Sequence, residues 1–354
     1  MKTKTAILYE TGKPLVIEEL EIPELKRGQS LVKILCSGLC RSQINEIYAI
    51  KGEDRYLPHT MGHEASGIVE KVGADVSKVK EGDYVVVSWI KGSGLEVPSV
   101  YYSKGDKKIN AGASATFSEY AIISENRLTK ISSLIPPDIG ALLGCAVPSG
   151  GGIVLNEIPD DKNKTLAIFG VGGIGACALL VAAKLRTFSK IIAVDVNHKK
   201  LEYAKELGAT YTINPLEKNV VNSVFELNNG VGVDYAIECA GSKQAMEFAF
   251  DVLKEGKEGR NGGLAIIAGN ISKDQKIEIQ PYELIKGKNI IGSWGGKTNT
   301  DIDIPFYARV YIDGRLPLKK LITNKYSFED INVALEDLKN GRVLRAIIEV
   351  NKVY

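Results

Sequence analysis

The sequence of 354 residues predicts an α/β protein with two domains, one β-rich and one built on a doubly wound parallel sheet. Residues 1 to about 90 contain short apolar runs separated by glycine-containing turns, a pattern typical of strands. From about residue 147, strand and helix patterns alternate, as in a parallel sheet with crossover helices. The length accommodates two domains of ordinary size, each with its own core.

The first domain is expected to begin with a series of short strands. These are predicted at 5–9, 31–35, 65–72, 83–89 and 117–123. Between 91 and 116 the residues show no clear periodicity, and we expect a surface lobe there. Pro136 and Pro137 open a predicted helix that, with a glycine turn at 150–152, joins the two domains.

The second domain is organised around residues 165–200. An apolar run at 165–169 leads into a glycine-rich turn, a helix at 176–185 and a second strand at 191–194 that ends at Asp195. Further helices are predicted at 201–207, 220–227 and 245–253, and strands at 211–213, 234–237 and 263–268. Beyond 292, helices at 304–311 and 328–338 and a strand at 346–350 are expected to return to the first domain.

The glycine-rich turn matches the G-x-G-x-x-G pattern of dinucleotide sites. Its candidate cofactor-binding residues are Gly170, Gly172, Gly173, Ile174 and Gly175. Glycines permit the tight turn and close backbone approach, and the helix N-terminus offers N–H groups to a pyrophosphate. Asp195 follows Gly175 by twenty residues, where a carboxylate accepts the ribose hydroxyls of NAD and repels the 2′-phosphate of NADP. The alternative is a glycine-rich turn with a structural role only.

Composition and charge exclude several functional classes. Of the residues, 44% are hydrophobic and 25% are charged, as in an ordinary soluble protein. The net charge of +2 is too small to indicate binding to nucleic acid or to an anionic membrane. Residues 165–183 carry no charge, but four glycines interrupt them, so we reject a membrane span. The apolar run at 6–9 is too short for a signal peptide, and a cytoplasmic location is expected.

Five cysteines, an odd number, argue against a disulfide framework and leave reduced thiols or metal ligands. Cys40 and His63 lie in the β-rich region, and Cys145 lies just before the second domain. Two thiolates and one imidazole form a three-ligand zinc site with an open fourth position, the arrangement of a catalytic zinc. On spacing alone, core thiols and a satisfied histidine are the favoured interpretation.

Several motifs together resemble the zinc-dependent medium-chain alcohol dehydrogenases, a family within the medium-chain dehydrogenase/reductase superfamily. They are GLCRS at 38–42, GHEASGIVE at 62–70, GC at 144–145, GVGGIG at 170–175 and YSFEDIN at 326–332. The resemblance covers almost the whole chain. It implies a GroES-like catalytic domain formed by 1–146 and 293–354, a Rossmann NAD-binding domain at 147–292, and chemistry in the cleft where the two meet.

The resemblance also implies a catalytic site. Cys40, His63 and Cys145 would bind one zinc ion, and Glu64 would lie behind the metal as an outer or transient fourth ligand. Ser42 would hydrogen-bond the substrate oxygen and carry its proton outward. A hydroxyl that closes a local turn is the alternative for Ser42.

Cofactor contacts are implied for four further residues. Arg41 and Arg345 match positions where the family pairs arginine with the pyrophosphate. Asp195 and Lys200 match its contacts with the adenosine ribose. Solvated surface charges are the alternatives for Arg41, Arg345 and Lys200.

The sequence departs from the family pattern at three places. Gln43 replaces an acid that orients the ligating histidine, although a neutral amide can still accept the imidazole N–H. Asn45 and Glu46 stand where many relatives have a histidine that finishes the proton relay. Residues 91–116 lack the four cysteines of a structural zinc, so we expect one zinc per chain and a lobe held by residues such as Tyr101 and Tyr102.

The remaining thiols and histidines have plainer interpretations. Cys36 and Cys177 are expected to be core thiols, and Cys239, at a strand end, is expected to be structural. His59 fits an element start as well as the cleft, and His198, in a charged run, is expected to be solvated.

The predicted function is NAD- and zinc-dependent dehydrogenation of a primary or secondary alcohol. The polar Gln43, Asn45 and Glu46 favour a polyol or sugar-like substrate. The alternatives are a zinc-free quinone or enone reductase of the same superfamily and a non-catalytic nucleotide-binding relative. The expected partners are a small alcohol, aldehyde or ketone and further copies of the chain in a homodimer or homotetramer, without nucleic acid or membrane.

Overall fold

The computed structural model describes residues 1–50, 52–272 and 274–351. The chain divides into two compact units, Met1–Pro148 with Asn299–Tyr354, and Ser149–Thr298. The domain limits expected from the sequence lie at 146 and 292. Both units combine helices and strands, which confirms the predicted α/β class.

Eighteen strands lie within the described residues. In chain order they are β1 (Lys2–Leu8), β2 (Val16–Glu21), β3 (Gln29–Gly38), β4 (His59–Thr60), β5 (Glu64–Val72), β6 (Tyr84–Ser88), β7 (Val100–Lys104), β8 (Lys107–Gly112), β9 (Tyr120–Ser124), β10 (Leu128–Lys130), β11 (Lys164–Phe169), β12 (Phe188–Val194), β13 (Tyr211–Ile213), β14 (Tyr235–Glu238), β15 (Leu264–Ile267), β16 (Asn289–Gly292), β17 (Asn324–Ser327) and β18 (Ala346–Glu349).

Ten α-helices lie in the same part of the chain. They are α1 (Arg41–Ile47), α2 (Pro137–Leu142), α3 (Ala146–Gly152), α4 (Gly173–Leu185), α5 (His198–Leu207), α6 (Val220–Leu227), α7 (Lys243–Asp251), α8 (Pro281–Ile285), α9 (Thr300–Ile312) and α10 (Ile331–Lys339). Short 3₁₀ turns occur at Glu125–Arg127, Gly295–Lys297, Leu318–Leu321 and Phe328–Asp330, and a π-helical turn at Ile153–Glu157. No helix in the described residues is long and apolar enough to cross a membrane.

The first unit contains a closed barrel and an open sheet. The barrel has the order β1-β2-β7-β8-β4, and the seven-stranded sheet has the order β10-β6-β5-β3-β18-β17, with β9 also paired to β3. Strand β3 is buried along most of its length because it has neighbours on both edges. Strand β18 pairs antiparallel with β3, so segments from both ends of the chain form one sheet.

The expectation of a lobe without regular structure at 91–116 is wrong for 100–104 and 107–112, where β7 and β8 close the barrel, whereas 91–99 contain no helix or strand. The two strands pair with each other, and each pairs with a second barrel strand. Tyr102 is 2% exposed whereas Tyr101 is 55% exposed, the alternation expected of a strand with one buried face. A tyrosine on each face hid this alternation from a pattern based on polarity.

The second unit contains a six-stranded parallel sheet with the order β13-β12-β11-β14-β15-β16. This is the doubly wound order, in which β11 lies at the centre of the sheet. The strand order runs outward on one side from β11 to β13 and on the other from β14 to β16. Strand β11 carries Ala167 and Phe169 into the core against Val194 of β12 and Phe250 of α7. The glycine-rich turn therefore follows the central strand.

Tyr102 provides a test of how the barrel is held. The backbone N–H of Ile122 donates to the buried Tyr102 hydroxyl oxygen at 2.8 Å. Tyr102→Phe should lower the free energy of unfolding by about 1–3 kcal/mol, because the Ile122 N–H loses its acceptor. Urea denaturation measures the change.

Tyr101→Phe is the matched control, because the neighbouring ring lies on the solvent face. It should change the free energy of unfolding by less than about 0.5 kcal/mol. Equal effects of the two substitutions would contradict the assigned roles.

Candidate metal centre and nucleotide-binding turn

Four potential metal-binding side chains converge within the first unit. The ligand atoms of Cys40, His63, Glu64 and Cys145 all lie within 4.8 Å of one another. Cys40 precedes α1, His63 precedes β5, and Cys145 lies between α2 and α3. Residues far apart in the sequence thus present two sulfurs, one imidazole and one carboxylate to a common centre.

The sheet brings these residues together. Strands β3 and β5 are antiparallel, with Ser37 opposite Ala65, so the end of β3 lies beside the start of β5. The Ser88 hydroxyl donates to the Gly144 carbonyl at 2.7 Å and fixes the segment that carries Cys145. Glycine is required at 144, because a Cβ there would lie 2.3 Å from the Val87 carbonyl oxygen.

A shared hydrogen bond shifts the pKa values of the two cysteine thiols in opposite directions. A hydrogen bond from the Cys145 thiol, with the nearby His63, holds the pKa of Cys40 well below its ordinary value. The same hydrogen bond and burial hold the pKa of Cys145 well above its ordinary value. Burial opposes the charge of His63, but its contact with Cys40 raises the pKa of the imidazole. The pocket thus favours a thiolate at Cys40.

Gln43 orients this cluster differently from the expectation. Its amide oxygen accepts the Cys40 backbone N–H at 2.7 Å, and its amide nitrogen lies 2.8 Å from Nδ1 of His63. The expectation that Gln43 accepts the imidazole N–H is therefore wrong for this structure, because its oxygen caps α1. Since Gln43 occupies Nδ1, Nε2 of His63 is the nitrogen available to a metal.

Glu64 forms a buried ion pair with Arg345. The carboxylate Oε1 lies 2.6 Å from Nη2 of Arg345, and the two side chains are 0% and 2% exposed. A second guanidinium nitrogen donates to the Leu39 carbonyl at 2.8 Å. The alternative of a solvated surface charge is therefore wrong for Arg345. Oε2 of Glu64 is buried and has no hydrogen-bond partner among the described residues.

Ser42 and Arg41 occupy the first turn of α1. The Ser42 hydroxyl is buried, and in the described part of the chain it has no hydrogen-bond partner. It therefore does not close a local turn, which was its alternative interpretation. Arg41 is exposed.

In the second unit, the glycine-rich turn links β11 to α4 as the sequence predicts. Gly170 has φ of +88°, and a Cβ on Gly175 would lie 1.9 Å from the Gly170 carbonyl oxygen. Both positions therefore require glycine. Gly172 precedes α4 with no side-chain cap, and a Cβ there would meet open space. Gly173 and Ile174 are partly exposed in the first turn of the helix, whose leading N–H groups lack helical acceptors.

Asp195 is bound to this turn. Its Oδ2 accepts the Val171 N–H at 2.8 Å, and its Oδ1 accepts the Asn197 N–H at 2.9 Å. The side chain is largely buried, and each oxygen retains a second lone pair. Lys200, in the first turn of α5, is half-buried.

The other candidate thiols and histidines are distributed as follows. Cys36 and Cys177 are buried, as expected of core thiols, and Cys239 is partly exposed. His198 is solvent-exposed beside Glu217, which confirms its plain interpretation. His59 is buried in β4. No sequence signal indicated that Glu64 pairs with Arg345, because the two residues are 281 positions apart.

Comparison with known proteins places these features in a family. The description "Alcohol dehydrogenase GroES-like domain" matches residues 26–133, and "Zinc-binding dehydrogenase" matches residues 173–308. An alcohol dehydrogenase from Malus domestica is 33% identical over 99% of this chain and 98% of its own length. The chain belongs to the zinc-type medium-chain alcohol dehydrogenase family. The predicted resemblance is confirmed.

Solved structures of this family show the same fold. The benzyl alcohol dehydrogenase from Acinetobacter calcoaceticus is 27% identical with a TM-score of 0.89, over 99% of this chain and 100% of that one. The 2R,3R-butanediol dehydrogenase from Bacillus subtilis is 25% identical with a TM-score of 0.78, over the same shares. The predicted combination of GroES-like and Rossmann domains is confirmed, and the protein is an oxidoreductase acting on CH–OH groups.

The buried ion pair provides a stability test for this family member. Arg345→Met should lower the free energy of unfolding by about 3–5 kcal/mol, because Glu64 is left buried without its cation. The measurement is urea denaturation with zinc in excess.

The control is the double variant Glu64→Gln with Arg345→Met. It should be less destabilised than Arg345→Met alone, because both charges are removed together. A loss below about 1 kcal/mol in the single variant, the value of an exposed pair, would contradict the assignment.

Proposed function

We propose that this alcohol dehydrogenase uses NAD and one zinc ion per chain to oxidise primary or secondary alcohols. The main support for this proposal is that the ligand atoms of two cysteines, a histidine and a glutamate lie within 4.8 Å of one another. Under this proposal, Cys40, His63 and Cys145 bind the zinc. The chain acts as a homodimer or homotetramer on small alcohols, aldehydes or ketones.

The side chains at this centre suit zinc. Thiolate sulfur and imidazole nitrogen are the ligands of catalytic zinc sites, and three protein ligands leave one position for substrate. The buried Oε2 of Glu64, which lacks a hydrogen-bond partner in the described residues, can serve as an outer or transient ligand. A quinone or enone reductase without zinc would have no use for this set, which disfavours that alternative.

Zinc would polarise the substrate oxygen, and NAD would accept the hydride. The chain's own residues prepare that chemistry. The depressed pKa of Cys40 favours a thiolate ligand, and Nε2 of His63 would be the ligating nitrogen because the Gln43 amide lies 2.8 Å from Nδ1. The Ser42 hydroxyl has the capacity to hydrogen-bond the substrate oxygen and to transfer its proton.

The proposed cofactor site uses the turn at 170–175 and the carboxylate of Asp195. The uncapped N-terminus of α4 binds the pyrophosphate, and the second lone pairs of Asp195 accept ribose hydroxyls. Lys200 contributes a ribose contact. Arg41, which is exposed, would contact the pyrophosphate. The sequence predicts the same contact for Arg345, but its Nη atoms are engaged by Glu64 and the Leu39 carbonyl, and only its Nε has no partner in the described residues.

The position of Gln43 reduces the number of polar residues that support a polyol substrate. Its amide is buried and engaged by Cys40 and His63, so it cannot recognise a polyol. Asn45 and Glu46 are the remaining polar residues that favour a polyol or sugar-like alcohol. A panel of benzyl alcohol, 2,3-butanediol and a sugar alcohol, followed by NADH absorbance, distinguishes aromatic, short-chain and polyol substrates.

Cys145→Ser tests the ligand assignment. Serine is a poor zinc ligand at neutral pH, so turnover should fall at least about a thousandfold, while NADH binding remains nearly intact. Steady-state rates, NADH fluorescence titration and zinc analysis measure the three quantities. Cys36→Ser is the control, since this thiol lies outside the cluster. A Cys145→Ser protein that is active and zinc-replete would overturn the assignment.

Asp195→Ala tests the cofactor preference. Loss of the carboxylate should weaken NAD binding relative to NADP by about tenfold or more, because the ribose contact and the repulsion of a 2′-phosphate disappear together. Dissociation constants for NADH and NADPH give the ratio. Asp195→Asn retains a hydrogen-bond acceptor for the turn and should still shift the ratio. An unchanged ratio in both variants removes Asp195 from the ribose site.

A further inference from the structure

A second cluster of titratable side chains lies outside the proposed zinc ligands. The ligand atoms of Glu46, Asp54 and His59 lie within 4.8 Å of one another. Nε2 of His59 is 2.8 Å from Oδ2 of Asp54 and 3.8 Å from Oε1 of Glu46. The side chains of His59 and Asp54 are 7% and 9% exposed, whereas that of Glu46 is 47% exposed. The cluster is thus anchored in the protein and open to water at Glu46.

The hydrogen bonds of His59 define its role. Its Nδ1 lies 2.9 Å from the Thr60 carbonyl oxygen, which can only accept, so Nδ1 carries a proton. Its Nε2 faces the Asp54 carboxylate, so this nitrogen also donates. The strand partners of His59, Leu8 and Asn110, are not titratable. With both nitrogens engaged in these contacts, His59 orients the neighbouring carboxylates and has no free nitrogen to accept a further proton.

Glu46 lies on the same face of α1 as Ser42. The two residues are four positions apart, which brings their Cβ atoms to about 5–6 Å. The Ser42 hydroxyl is buried and has no hydrogen-bond partner in the described residues, so it can receive a proton from one side and release its own to the other. The Ser42 hydroxyl is not basic enough to hold an additional proton, and neither is the Asn45 amide. A carboxylate one helical turn away can.

We propose that Glu46 accepts the proton released in alcohol oxidation and delivers it to bulk water, with His59 and Asp54 as positioning residues. This inference rests on the proposed function. The substrate O–H bond breaks and its proton passes to the Ser42 oxygen, while the Ser42 proton passes through water to the Glu46 carboxylate. The hydride leaves the carbinol carbon for NAD⁺. Glu46 then loses its proton to water, so each turnover yields one carbonyl product, one NADH and one proton.

Glu46→Gln is the first test, in the zinc-loaded full chain. Proton release, followed in stopped flow with a pH indicator under weak buffering, should slow by about tenfold to a hundredfold. Zinc content and NADH affinity should not change. The smaller variant Glu46→Ala should regain rate with added acetate, because a free carboxylate replaces the missing one. Proton release at the unaltered rate in Glu46→Gln would overturn the proposal.

Glu53→Gln is the matched control. Glu53 lies in the same segment, and its side chain is 81% exposed. Its substitution removes the same charge outside the cluster and should leave proton release unchanged. An equal slowing in Glu53→Gln would show a general charge effect and would contradict the specific role of Glu46.

His59→Asn tests the positioning role. Loss of the imidazole that orients Asp54 and Glu46 should lower kcat with little change in KM and should displace the pH profile of kcat. Glu46→Asp should retain more activity than Glu46→Gln. If a Glu46 variant loses zinc or its fold, the kinetics of His59→Asn decide, since a lower kcat at unchanged KM supports the proposal and an unaltered kcat overturns it. Loss of one metal ion per chain in His59→Asn would also overturn it, because the cluster would then be a metal site.

Failure of this inference is distinguishable from failure of the proposed function. An unaltered protein that shows no zinc- and NAD-dependent alcohol oxidation would refute the proposed function. An active protein in which Glu46→Gln and His59→Asn behave as the unaltered chain would refute the proton route alone.

Discussion

The buried pair of Glu64 and Arg345 is the interaction on which the candidate metal centre depends. Glu64 begins β5 immediately after His63, and Arg345 lies immediately before β18. The same guanidinium donates to the Leu39 carbonyl, next to Cys40. One side chain from the end of the sequence thus fixes the backbone beside two proposed ligands. Removal of two ions from water is costly, so a pair this deeply buried requires complementary charges and close geometry.

Charge balance explains how this centre can be buried. Burial raises the pKa of Glu64, and the guanidinium of Arg345 opposes that effect. The hydrogen bond from Cys145, together with His63, favours the thiolate of Cys40. A cluster with several anions would be unstable in a low dielectric unless cations faced it. Arg345 provides a permanent positive charge that favours the Glu64 carboxylate and the Cys40 thiolate against the cost of burial.

The sequence was sufficient to predict a structural element where the signal for it is local. Apolar runs identified β5 and β11, and the spacing of Gly170 and Gly175 identified the turn. It was insufficient where a structure depends on distant partners. The strands at 91–116 are defined by their pairing within the barrel, and the ion pair of Glu64 joins residues 281 positions apart. The orientation of Gln43 followed from capping of α1, which competes with the histidine for the same amide.

The contacts of Asp195 have a consequence for the history of cofactor choice. The carboxylate proposed to select the ribose also fixes the backbone of the phosphate-binding turn through the Val171 N–H. Under the proposed cofactor site, selectivity and architecture share one side chain, and a substitution that removes both carboxylate oxygens alters the two together. A lineage that turned to a phosphorylated cofactor would need a new support for the turn first. Such a dependence would make the proposed preference for NAD difficult to reverse.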